Sequence, residues 1–120
     1  MTRDYARFPN DDNGNVLWHM YSRGDALTKV RELDFTIILP SEHAAIELAV
    51  ICLQSGFKVE LQEAEEHHQD GLNWHIVVYS NAIPTHADIT MLEQSLGKQA
   101  AVFGGRTSGW SSTFVPSDKL

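Results

Sequence analysis

Between Trp74 and Trp110 the chain changes its apolar period once and then closes on a glycine pair. That order restricts the fold to helices packed on a sheet. Trp74, Ile76 and Val78 alternate with His75, Val77 and Tyr79, the period of a half-buried strand. Pro84-Thr85-His86-Ala87-Asp88 then opens a helix. Thr85 can cap free backbone N–H groups, and Asp88 favours the positive helix end. Ile89, Leu92, Leu96, Ala100 and Phe103 make its apolar stripe, and Gly104-Gly105 stops it. Gly97 inside it costs about 1 kcal/mol relative to alanine, so a kink or close packing is expected there.

The same grammar runs through the first half. Leu33, Phe35, Ile37 and Leu39 share one strand face, with Asp34, Thr36 and Ile38 on the other. Pro40 stops this strand and Ser41 can cap a helix with Glu42 in its first turn. Ala45, Leu48, Ala49, Cys52 and Leu53 are its predicted buried stripe, and Gly56 its end. Phe57, Val59 and Leu61 alternate with Lys58, Glu60 and Gln62 as a further strand. A polar loop spans Glu63 to Gly71, a strand runs from Leu72 to Ser80, and the last strand covers Thr107 to Phe114. Upstream, Asp11-Asp12-Asn13 precede Val16, Leu17, Met20 and Tyr21, with Gly24 after, which predicts a short first helix.

The order is a helix followed by βαββαβ. This is an α+β, ferredoxin-like sandwich with a four-stranded antiparallel sheet and an extra N-terminal helix. Right-handed crossovers put both long helices on one face and the first and third strands at the centre. Leu17 and Met20 are expected to cover the other face, with Trp18 toward its edge. If left open, that face would offer Ile38, Val77 and Tyr79 as a contact patch. Residues 1–12 read as a flexible lead-in, 13–115 as the domain and 116–120 as a short tail.

At 120 residues the chain is one domain, able to bury roughly two-thirds of its unfolded surface. The single cysteine, Cys52, lies in an apolar helical stretch and reads as a small buried hydrophobe. The first residues lack an apolar run, and no segment approaches the ~18 apolar residues of a membrane span. The expectation is a cytoplasmic protein.

Charge placement says more than charge size. The net charge is −7. From Val59 to Gly97 there are seven acids (Glu60, Glu63, Glu65, Glu66, Asp70, Asp88, Glu93) and no Lys or Arg. The remainder carries nine of each sign, so the entire imbalance sits in one stretch. Direct nucleic-acid binding, which draws its affinity from Lys and Arg on phosphates, is disfavoured. A basic surface on a protein partner is favoured, with Glu60, Glu63, Glu65, Glu66 and Asp70 as the candidate binding residues. The competing reading is a solvated acidic loop.

Other candidate chemistry is sparse. His67-His68 with nearby glutamates could suggest zinc, but adjacent histidines in a strand point to opposite faces, so no metal is assigned. His86 stands at a helix N-terminus, where the positive end disfavours imidazolium and no nucleophile is placed; helix initiation is its expected role. There is no phosphate loop, nucleophile elbow or Cys-x-x-Cys, and no cofactor is assigned. An RNA-recognition module shares this topology but needs stacking aromatics on a basic open face, whereas Tyr79 is the one such aromatic here. A small enzyme or ligand-binding domain with a crevice near His86 and Trp110, or an interaction module for an unrelated protein, are the alternatives to a regulatory docking protein.

An ordered set of short pieces carries a family resemblance. It comprises Asn13-Gly14, Gly24-Asp25-Ala26-Leu27, Asp34-Phe35 leading to Pro40, and Gly56-Phe57-Lys58-Val59. It continues with Trp74, Pro84-Thr85-His86, Ile89-Thr90, Glu93, Gly104-Gly105-Arg106 and Gly109-Trp110. With this set, from about Asn13 to Phe114, the chain resembles the regulator of ribonuclease E activity B family (RraB, ribonuclease E inhibitor B). The resemblance implies a ferredoxin-like sandwich and a non-enzymatic protein. It also implies a partner, an RNA-degrading endonuclease or its scaffold, whose cleavage the protein lowers or redirects.

Overall fold

The computed structural model describes residues 2–63 and 71–116. Its elements are α1 (Asp12–Ser22), β1 (Arg31–Leu39), α2 (Glu42–Gln54), β2 (Lys58–Glu63), β3 (Trp74–Ala82), α3 (His86–Val102) and β4 (Arg106–Ser112). The sheet is antiparallel in the order β2-β3-β1-β4, so the two strands with the strongest alternation are central. A helix followed by βαββαβ is what the sequence pattern implies.

Each helix begins where a short polar side chain accepts a backbone N–H. Asp11 accepts from Gly14, Ser41 from Ala44 and Thr85 from Asp88. These bonds satisfy donors that the first helical turn leaves without partners.

One core lies between the sheet and the helices. Leu33, Phe35, Ile37 and Leu39 of β1 and Ile76 and Val78 of β3 meet Ala45, Leu48 and Cys52 of α2 and Ile89, Leu96 and Ala100 of α3. Burial pushes the Cys52 thiol pKa up, consistent with a structural residue. Trp74 is half-buried against the same core.

Several placements differ from expectation. Leu17, 1% exposed, joins this helix-side core, and Met20 packs against it. α1 lies beside α3, tied to it by Asn13, and does not cover the opposite sheet face. A helix this short gains most by extending an existing core. The segment before α1 is also anchored. Phe8 is 2% exposed and meets Trp18 and Tyr21 at ring-centroid distances of 5.6 and 5.2 Å. Arg3 donates to the carbonyls of Phe8 and Pro9. Leu53 is 54% exposed, because it sits five residues past Leu48, off the stripe that faces the sheet. β4 ends at Ser112, two residues early, and leaves Phe114 exposed where the chain turns toward Asp25.

Two glycines have geometric reasons. A Cβ on Gly14 would lie 1.8 Å from the Pro9 carbonyl oxygen, so the lead-in crosses α1 only if residue 14 has no side chain. Gly109 has φ +89°, where the register of β4 against β1 shifts between Phe35 and Ile37. This bulge brings Trp110 opposite Phe35.

Candidate functional site

The acidic candidates sit at the outer edge of the sheet. Among the described residues β2 is an edge strand, hydrogen-bonded to β3 alone. Strand alternation sends Glu60, with Lys58 and Gln62, to the helix-free face. Glu63 pairs with Trp74 and shares the helix-bearing face with Val59 and Leu61. The two acids therefore stand on opposite faces of one edge, and they are not side by side. Glu65, Glu66 and Asp70 lie outside the described residues, as do His67 and His68.

The helix-free face mixes acids with one aromatic. Tyr79 lies opposite Lys58, whose Nζ is 4.4 Å from the ring centroid and 3.3 Å from Glu32. The Tyr79 phenol pKa is raised, first by loss of surrounding water and then by its hydrogen bond to Glu60. Asp34 accepts a 2.6 Å bond from Ser111. Ile38 on this face is buried, while Val77 and Tyr79 remain partly exposed.

His86 and Trp110 are brought to one seam at the start of α1. His86 Nε2 is 3.0 and 2.8 Å from the two oxygens of Asp11, the residue that caps α1. The Gly14 N–H, and then His86, hold the Asp11 carboxyl below its ordinary pKa. Trp110 Nε1 donates to Asn13 Oδ1 at 2.8 Å. Asn13 Nδ2 donates in turn to Thr90 Oγ1 at 3.1 Å and Glu93 Oε1 at 2.7 Å. One amide thus joins α1, α3 and β4. A cavity of about 250 Å³ adjoins the seam, lined in part by Phe8, Leu17, Leu27 and His86. The polar side chains here hold elements together, and His86 contacts a capping carboxylate.

Sequence reasoning missed a buried ion pair. Asp25 and Arg31 are 1% and 6% exposed. Arg31 donates to both Asp25 oxygens, at 2.5 and 3.1 Å, and to the Thr113 carbonyl at 3.1 Å. Asp25 also accepts from the Leu27 and Val115 N–H groups, at 2.9 and 3.0 Å. Burial pushes the Asp25 pKa up, but the bonds from Arg31, Val115 and Leu27 outweigh it and hold the carboxyl below its ordinary value. Leu27, with φ +59°, is the strained turn this pairing fixes. The available signal was a Gly-Asp turn followed by an arginine six residues on, which is ordinary in any loop.

Among the described residues, no group of three or more His, Cys, Asp or Glu is placed to hold a metal ion, and no helix is long and apolar enough to cross a membrane.

The Asn13 seam and the Asp25–Arg31 pair thus use their polar side chains to join elements. The family model for regulator of ribonuclease activity B matches residues 10–112, and the chain belongs to that family. Members of this family are non-enzymatic regulators of ribonuclease activity, and membership implies a ribonuclease of the E type as the partner. A search of curated proteins found no match.

Proposed function

We propose that this regulator docks through acidic residues at the β2 edge and the adjoining stretch to Asp70, meeting a basic RNA-binding surface on the nuclease. The observation that carries the reading is charge segregation. Every unit of the net −7 falls between Val59 and Gly97, where there is no Lys or Arg. Glu60 and Glu63 give that charge access from both faces of one sheet edge. An acidic surface of this kind attracts the lysines and arginines that otherwise bind RNA phosphates, so inhibition follows by competition.

The test changes Glu63, Glu65 and Glu66 to Gln together. Glu63 is exposed, and an exposed charge adds little to stability, so its replacement should leave the melting temperature in place. Affinity for purified ribonuclease E, titrated at two salt concentrations, should fall, and its dependence on salt should shrink. Unchanged affinity at both concentrations would sink the electrostatic mechanism.

A further inference from the structure

α2 is apolar on two sides. Ala45, Leu48 and Cys52 face the core at 0–1% exposure. Ile46, Val50 and Leu53, spaced four and three residues apart, form a second stripe at 43, 44 and 54% exposure. Helices of soluble domains ordinarily turn a polar face outward, so an outward apolar stripe signals an interaction surface.

Its direction follows from geometry. β1 and β2 are both antiparallel to β3, so the β1–α2–β2 connection is a crossover between parallel strands, which is right-handed. With Ala45, Leu48 and Cys52 turned onto the sheet and about 100° per residue, the second stripe points away from α3 and toward the β2 edge. There Leu61, 42% exposed, stands on the same side of the sheet. Because α2 runs against β2, Glu42 at the helix start and Glu63 at the strand end lie at one end of this surface. α2 contains no Lys or Arg, and His43, its one basic side chain, is 2.9 Å from Glu47.

We infer that the α2 stripe and Leu61 form a groove for a basic amphipathic helical segment of the nuclease. Leucine-type side chains of that segment would lie on Ile46, Val50 and Leu53, and its arginines on Glu42, Glu47 and Glu63. The inference rests on the docking role proposed above and adds the chemistry of what docks. Charge favours this occupant over a second copy of the chain, since two acid-rimmed surfaces on molecules of net charge −7 repel.

The test uses the full chain and its Ile46→Gln/Val50→Gln/Leu53→Gln variant, with circular dichroism and melting to confirm the fold. The first probe is an 18-residue peptide with leucines on one helical face and arginines on the other. Its counterpart carries glutamates in place of the arginines. The protein should bind the arginine peptide and not the glutamate one, and the variant should bind at least tenfold more weakly. Equal binding of both peptides, or of the arginine peptide by protein and variant, overturns the inference. The second probe is purified ribonuclease E. A tenfold loss in the variant supports the groove. Equal binding by protein and variant overturns the groove while the nuclease role stands. If the protein ignores the nuclease yet binds the arginine peptide through the stripe, the nuclease role fails and the groove stands. A concentration-dependent dimer in sedimentation, absent in the variant, would overturn the inference in favour of a second copy.

Discussion

Replacing Asp25 with alanine tests how the N-terminal and C-terminal parts are joined. The change removes four hydrogen bonds, two from Arg31 and one each from the Leu27 and Val115 N–H groups. It leaves a guanidinium on a residue only 6% exposed, with the Lys29 and Thr113 carbonyls as its remaining acceptors. Removing one member of a buried ion pair costs about 3–5 kcal/mol, a large share of the roughly 5–15 kcal/mol that holds a domain together. At about 4 °C per kcal/mol for a chain of this size, the melting temperature should fall by roughly 12–20 °C. The paired replacement Asp25→Leu/Arg31→Met separates two causes. A buried ion pair exchanged for apolar side chains is often neutral. Here two backbone N–H groups would still lose their acceptor, at about 1–3 kcal/mol each. The double variant should therefore stay about 2 kcal/mol or more below the parent in denaturant titration. Acid adds a third readout. The folded Asp25 pKa lies below its ordinary value. The stability it contributes is fully present above the ordinary carboxylate range and is lost as pH falls through the folded value. Asp25→Asn should flatten the acid limb of the stability curve below about pH 4. An Asp25→Ala protein melting within about 3 °C of the parent, or a double variant with full stability, would refute this account.

Asn13→Ala removes the amide shared by Thr90, Glu93 and Trp110. At about 1 kcal/mol for each net hydrogen bond, it should cost roughly 3 kcal/mol in denaturant unfolding and alter Trp110 fluorescence. Gly14→Ala places a methyl 1.8 Å from the Pro9 oxygen. It should displace the segment carrying Phe8 and expose Arg3 and Arg7 to trypsin, and an unchanged cleavage pattern would contradict the crossing described here.

The pieces that carry the family resemblance turn out largely to be joints. Asn13, Thr90, Glu93 and Trp110 make one hydrogen-bonded seam, and the Gly24-to-Leu27 turn presents Asp25 to Arg31. Strand alternation at Leu33–Leu39 and Trp74–Val78, with the caps Ser41 and Thr85, was readable because period and capping are local properties. The side of the sheet on which α1 lies was not readable. Leu17 and Met20 are equally apolar for either face, and the decision rests on Asn13 meeting residues 77 to 97 positions away. Phe8 escaped notice because a single buried ring has no period. The acidic candidates were legible as charge, but their division between two faces depended on where β2 ends, since Glu63 is the last residue of the strand and not the first of the loop. The outward stripe of α2 was hidden in plain composition, since Leu53 extends the apolar run while facing away from the core.

β1 lies between β3 and β4, so both of its hydrogen-bonding edges are filled by segments made much later. During synthesis its apolar residues leave the ribosome well before residues 74–82, and the β4 side stays bare until residues 106–112 emerge. Pairings this distant in sequence make for slow folding, and an unpaired apolar strand is a template for aggregation. The nascent protein therefore passes through a long interval in which its most hydrophobic strand depends on chaperone cover or on transient shielding by α2, the one long helix already made.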